Sequence, residues 1–316
     1  MFALSLAPLL GCHVLEEYSV ECTSDMPCAK AGDTDPDADT DTDTDSDTDT
    51  DTDTGPPPEP SVGWVVSLVG GTTGRVRVYD PSTREVTYEW AGFGTYGGTA
   101  YYNPSTGAGV LFSDDEIVFL GADGTTSTYG GGLSGSRYDV SRLGRYGILA
   151  LQGGVIRFDE SFSVLELMIV YGTFGNTLPV GGNANVGYLA DVASGGPDLY
   201  TLQPSGSYEL TYTDYDSSTQ RGANVFVGPG DAPFGCSSGG GIYEVDDLMV
   251  GSRDPYLSYD GEVTDVSECA YDPQSDQFLL FSPTAGVIRV DPDGTGKQVF
   301  SPPNGYTLHN VYFYEI

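Results

Sequence analysis

From Val62 onward the chain alternates short β-branched and aromatic runs with polar turns, and Gly interrupts it every few residues. Five stretches share one layout: "VRVYDPSTREVTYEW" from Val76, "IVFLGADGTTSTY" from Ile117, "VIRFDESFSVLEL" from Val155, "LYTLQPSGSYELTY" from Leu199 and "VIRVDPDGTGKQVF" from Val287. Each is an apolar run, a turn rich in Asp, Pro, Ser or Gly, and a second β-rich run, which is the pattern of a β-hairpin. A weaker sixth copy is "YLSYDGEVTDV" from Tyr256. Measured at the last residue before the turn, the copies fall at Tyr79, Leu120, Phe158, Leu202, Tyr259 and Val290, with spacings of 41, 38, 44, 57 and 31 residues.

A second motif precedes some hairpins. "YYNPSTGAGVLF" from Tyr101 matches "AYDPQSDQFLLF" from Ala270. Both read as a strand, an Asn-Pro or Asp-Pro turn and an apolar strand. Pro presets φ for such a turn, and Asn or Asp bonds back to the main chain. The unit is therefore about four strands in roughly 40 residues with no helical segment between them, the period of a propeller blade. The expected fold is all-β: a six-bladed β-propeller, with seven blades or a β-sandwich as alternatives. The first copy lacks a strand ahead of its hairpin, while "LHNVYFYEI" at the end has no hairpin after it. Ring closure would pair these two ends in one blade and remove edge strands that invite aggregation. No WD, kelch or Asp-box signature is present, so the body resembles degenerate surface propellers without a named subfamily.

The chemistry available to the body is narrow. Residues 61–316 contain one His (His309), one Lys (Lys297) and two Cys. A Ser-His-Asp or Cys-His device would have to use His309, and a multi-His transition-metal site is excluded there. "GGTTGR" at Gly70 and "GLSGSR" at Gly132 lack the Lys and following helix of a phosphate loop. No catalytic residue and no metal ligand is assigned. Carboxylate chemistry remains. Some six-bladed lactonases hold calcium in the central channel with Glu, Asn and Asp, and likeness to them would make Glu268, Asn310, Asp139 and Asn185 the candidates; no cofactor is assigned beyond that calcium alternative. "DPDGTG" at Asp291 is explained by a turn, and "SDDE" at Ser113 by turn initiation. The 22 Tyr are the other excess. Tyr101, Tyr102, Tyr212, Tyr215, Tyr256 and Tyr259, with Trp64 and Trp90, are candidates for a sugar- or peptide-binding rim, although sheets favour Tyr in any case.

Charge changes the picture at the other end of the chain. The net charge is -34, with 16 acids and one base in residues 1–60, and 30 acids and 11 bases after them. So acidic a chain is no nucleic-acid binder, because phosphate contacts rest on Lys and Arg. Asp33 to Thr54 carries eleven Asp, nearly every second residue, with no aliphatic side chain larger than Ala. Such a segment cannot bury enough apolar surface to fold, and like charges stretch it. EF-hand spacing fails in it for want of the Gly and the Glu at their required positions. Pro56 to Pro58 stiffens its end. Residues 13–60 would reach ~150 Å if extended and roughly 40 Å as a coil, a tether that holds the body away from its point of attachment.

The chain opens with "MFALSLAPLLGC". A short apolar run ending in Leu9-Leu10-Gly11-Cys12 resembles the lipobox of bacterial lipoproteins, which implies cleavage before Cys12 and lipid attachment to its thiol. No Lys or Arg precedes Cys12, so the charged n-region is expected upstream of Met1. The lipobox, the Asp-Thr spacer and the Gly-rich β body together resemble surface lipoproteins of myxobacteria and their relatives. That resemblance implies export to the cell envelope, with the outer membrane favoured because His13 gives no Asp-type retention signal. The expected organisation is a signal peptide over 1–11, a lipid-anchored segment over 12–32, a disordered linker over 33–60 and a propeller over 61–316. With Cys12 lipidated, four Cys remain, and export favours pairing Cys22 with Cys28 and Cys236 with Cys269. The expected function is a binding or scaffold module attached to a membrane by its lipid, with a surface protein or glycan as partner. The alternatives are a calcium-dependent hydrolase or lactonase and a purely structural envelope protein.

Overall fold

A computed structural model describes residues 59–316 except 71–72, 94–97, 114–115, 132–138, 152–153, 171–179, 192–197, 213–223, 238–240, 246–255, 259–264 and 302–304. Among the described residues the regular structure is strand apart from a single short 3-10 turn at Pro229–Asp231. Six four-stranded antiparallel sheets form the six blades of a β-propeller.

Blade 1 contains β1 (Val62–Gly70), β2 (Thr73–Tyr79) and β3 (Val86–Phe93). Blade 2 is β4 (Gly98–Asn103), β5 (Ala108–Ser113), β6 (Glu116–Leu120) and β7 (Thr126–Gly131). Blade 3 is β8 (Asp139–Leu143), β9 (Tyr146–Leu151), β10 (Gly154–Phe158) and β11 (Leu165–Val170). Blade 4 is β12 (Val180–Gly182), β13 (Gly187–Asp191), β14 (Asp198–Leu202) and β15 (Tyr208–Tyr212). Blade 5 is β16 (Asn224–Val227), β17 (Pro233–Ser237), β18 (Gly241–Glu244) and β19 (Leu257–Ser258). Blade 6 is β20 (Glu268–Asp272), β21 (Gln277–Ser282), β22 (Gly286–Val290) and β23 (Gln298–Phe300). The last strand, β24 (Thr307–Glu315), becomes the missing inner strand of blade 1. It pairs antiparallel with β1 from Val62–Glu315 to Val69–Thr307, so the two ends of the chain close the ring as the sequence implied.

The hairpin copies are the third and fourth strands of their blades. Tyr79, Leu120, Phe158, Leu202 and Val290 each end a third strand. The sixth copy was misplaced. The third strand of blade 5 is β18, ending at Glu244, and "YLSYDGEVTDV" begins at its short outer strand β19. With Glu244 in place of Tyr259 the last repeats lie 42 and 46 residues apart, which removes the irregular 57 and 31. Gly-rich spacing around β17 and β18 hid this blade, because Gly-Ile-Tyr-Glu is too short to stand out by alternation.

The core is a ring of interfaces between neighbouring blades. Trp90, Tyr101 and Phe112 join blades 1, 2 and 3, Ile148 and Leu189 join 3 and 4, and Leu199 and Val225 join 4 and 5. Phe234 and Phe278 join blades 5 and 6, and Trp64 and Phe281 close the ring between 6 and 1. Gly147 is needed where the Phe158 ring lies on the backbone, since a Cβ there would sit 2.4 Å from it.

Strands alternate in direction within a blade. First-to-second and third-to-fourth turns therefore lie on one face, the turn face, while blade-to-blade connections lie on the other, the connecting face. Strand β1 starts on the turn face beside Glu315. There the buried Asp272 carboxylate accepts hydrogen bonds from Ser61 N (3.0 Å), Ser61 Oγ (2.7 Å), Val62 N (3.2 Å) and Gln274 N (3.1 Å). Arg289, 2% exposed, donates to Val62 O at 2.9 Å and lies 3.7 Å from Asp272. The knot ties the first residues of the body to blade 6. Asp272 is the Asp of the Asp-Pro motif, and Asn103 caps the matching turn in blade 2 by accepting from Ser105 N at 3.0 Å.

Candidate functional site

Near the start of the innermost strand of each blade stand Thr99, Asp139, Val180, Asn224, Glu268 and Asn310. Five of the six are polar. In a propeller these strands are walled by neighbours on both sides, so a polar residue here must find a partner or stay solvated. Asn310 Nδ2 donates to Thr99 Oγ1, and its Oδ1 accepts from Val311 N at 2.7 Å. Asp139 accepts from Val140 N at 2.8 Å and from Val180 N at 2.9 Å. The apolar member of the ring thus contributes its main-chain N–H.

Asp139 and Glu268 come from blades 3 and 6 and act on each other across the axis. Burial pushes Asp139 up to about 7 against its two backbone donors. Burial and then the Asp139 charge hold Glu268 well above the ordinary glutamate range. The arginines that form ion pairs among the described residues form them elsewhere.

Below the ring lies a small cavity of about 60 Å³, lined by Asn224 and Glu268 at one end and by Tyr312 and Glu315 among others. Two buried polar atoms on its walls, Asn224 Oδ1 and Tyr312 Oη, have no hydrogen-bond partner. Toward the turn face Arg142 lies 3.5 Å from Glu315 and donates to Gly144 O at 2.7 Å. A disulfide joins Cys236 to Cys269 with Cα atoms 6.4 Å apart. Cys236 is the cross-strand partner of Asn224, and Cys269 follows Glu268. The covalent link therefore fixes the strand of Asn224 against the strand of Glu268.

Three of the four residues named by likeness to the lactonases reach the axis: Asp139, Glu268 and Asn310. Asn185 does not; it sits in the turn after β12, where its Nδ2 donates to Asp231 at 3.2 Å. Asn224 and Thr99 were missed, although each follows a blade-to-blade connection just as Asp139 and Glu268 do. Aligning the copies on that position would have found them. The aromatic rim is corrected in large part. Trp64, Trp90, Tyr101 and Tyr102 are buried between blades. Trp90 donates to Gly121 O at 2.9 Å, and the Tyr101 and Tyr312 rings stand 5.4 Å apart. Tyr256 is exposed; the Tyr212 side chain, Tyr215 and Tyr259 lie outside the described residues, as do Cys12, Cys22 and Cys28. His309 is exposed on β24. Asp291 and Thr295 close the turn of "DPDGTG" with main-chain bonds, Asp291 N donating at 3.0 Å.

No family model and no curated protein matches the chain. Solved structures do. The chain superposes on the nidogen/laminin complex structure with a TM-score of 0.51 at 10% identity, covering 80% of this chain and 98% of that one. It superposes on TolB from Acinetobacter baumannii with a TM-score of 0.52 at 10% identity, covering 80% of this chain and 66% of that one. At such identity the likeness is one of fold, and it agrees with the six-bladed ring.

Proposed function

We propose that the protein is a lipid-anchored binding or scaffold module of a bacterial envelope, which presents the connecting face of its propeller to a surface protein or glycan. The observation that carries this reading is the asymmetry of the connections around the ring axis. The body begins on the turn face, where Ser61 is locked to Asp272. Around the axis, first-to-second turns on that face span two to five residues and blade-to-blade connections on the opposite face four to eleven, while farther out the third-to-fourth turns of the turn face span five to twelve and the second-to-third turns of the connecting face two to six. Long loops on a rigid scaffold are where recognition concentrates. The outer membrane remains the favoured site of attachment, from the lipobox and His13 in the sequence.

Two measurements test the reading. Metabolic labelling with an alkyne fatty acid in the native host should label the protein and retain it in the membrane fraction, and Cys12→Ser should abolish both. A photo-crosslinking residue at Thr73 or Thr284, on the connecting face, should capture a discrete envelope partner. The same residue at Ser205 or Asp293, on the turn face, should not. Capture from the turn face alone, or a soluble unlabelled protein, overturns the proposal.

A further inference from the structure

The turn face holds a feature that goes beyond that reading, because it involves neither the connecting face nor the tether. Three turns of blades 2 and 3, those after β4, β8 and β10, surround a cavity of about 400 Å³, within the roughly 300–1,000 Å³ of small-molecule sites. Its lining is almost wholly polar. Tyr101 of β4 forms one wall. It is 2% exposed, and its ring packs against Phe158 at 5.1 Å and Tyr312 at 5.4 Å. Its phenol makes no hydrogen bond among the described residues, although the charges that act on it, Glu160, Arg142 and Asp159, line the same cavity. Burial, and then the Glu160 charge, keep it protonated. A buried hydroxyl that no protein group satisfies has to be met by something in the cavity.

The charged groups around that phenol divide into committed and available ones. Arg142 donates to Gly144 O at 2.7 Å and lies 3.5 Å from Glu315. Asp159 caps its own turn, accepting from Ser161 N at 3.1 Å, Ser163 N at 2.8 Å and Val164 N at 3.2 Å. Arg145 and Glu160 are left. Arg145 donates to Tyr146 Oη at 2.6 Å, and Glu160 accepts from Asn103 Nδ2 at 3.1 Å. Among the described residues neither has a partner of opposite charge. An available guanidinium donates, an available carboxylate accepts and a phenol does both. That set suits hydroxyl groups, which also do both. The charges of the lining cancel, Arg142 and Arg145 against Asp159 and Glu160, in a body of 30 acids and 11 bases. The matching ligand is therefore uncharged, and polar walls give an apolar one nothing to gain. We propose that this cavity binds a neutral sugar, with Arg145 donating to its hydroxyls, Glu160 accepting from them and Tyr101 doing either.

The test adds glucose, galactose, mannose or N-acetylglucosamine to the full chain and reads binding by saturation-transfer NMR. At least one is expected to bind with a Kd of about 1 mM or below, and more tightly than glucuronate, glucosamine or alanine, which carry an anion, a cation or both. Arg145→Ala, at an exposed position, is expected to weaken that binding about tenfold or more. Tyr101→Phe is expected to weaken it about threefold to tenfold and to leave the Tm within about 2 °C of the wild type, because the hydroxyl it removes has no partner in the protein. Ser205→Ala, in a turn of blade 4, is expected to leave the affinity unchanged. Should Tyr101→Phe fail to fold, Arg145→Ala still decides. Binding of none of the four sugars, tighter binding of glucuronate, glucosamine or alanine, or an affinity unchanged by Arg145→Ala each overturns the proposal.

Discussion

Asp272 and Asp139 are both buried aspartates at the end of an innermost strand, one on the turn face and one toward the connecting face. Burial pushes both carboxyls up, yet they end on opposite sides of the ordinary value. At Asp272 the desolvation is outweighed by the Ser61 hydroxyl and the main-chain N–H groups of Val62 and Ser275, which hold the carboxyl below the usual range. Asp139 has two donors and faces Glu268, and it stays high. Depth of burial does not set the charge state of a carboxylate; the number of donors and the sign of the nearest charge do. The first arrangement is a finished structural joint. The second keeps two backbone donors beside an unpaired acidic neighbour.

The contrast can be broken most forcefully at the joint. Asp272→Ala leaves Arg289 buried without its counter-charge and frees Ser61, and it is expected to cost about 3–5 kcal/mol, read as a fall in the midpoint of denaturant unfolding. Next is the disulfide beneath the axial ring. Its removal by Cys236→Ser with Cys269→Ser should cost about 2–4 kcal/mol for a loop of its length, read as a fall in the midpoint of denaturant unfolding.

The axial pair gives a smaller effect of opposite sign. The folded value of each group lies above its unfolded one, so the native state holds the extra proton. That contribution is present below about pH 4 and is lost as pH rises through about 7. The protein should therefore lose stability between pH 5 and 8, and Asp139→Asn should flatten the slope and gain about 1–3 kcal/mol at pH 8. A wild type that is as stable at pH 8 as at pH 5 would remove the distinction from Asp272. The smallest change is expected at Glu89, which pairs with Arg75 and Arg77 on the surface. There Glu89→Gln should shift stability by no more than about 1 kcal/mol, setting the scale for a carboxylate that water already satisfies.

Much of the fold was legible because hairpins are local. The alternation of apolar and polar residues, the Asn-Pro and Asp-Pro turns at Asn103 and Asp272, and the strandless first copy all report on residues within one or two strands of each other. The blade that was misplaced is the one whose third strand, Gly241–Glu244, is short and bordered by Gly, where local alternation has little to show. The candidate site was legible only in part. Asp139, Glu268 and Asn310 were named by analogy, Asn224 was passed over, and Asn185 was wrongly included, since an Asn in a turn and an Asn on an axis look alike in one dimension.

By itself the sequence determined the repeat, the hairpins, the closing strand and the acidic segment ahead of them, because each follows from periodicity and composition over short distances. Only the tertiary structure decided that Tyr101, Tyr102, Trp64 and Trp90 belong to blade interfaces rather than to a rim, and that Asp139 of blade 3 and Glu268 of blade 6 act on each other electrostatically. Those outcomes depend on the register of every blade around a closed ring, and no local pattern encodes the sum.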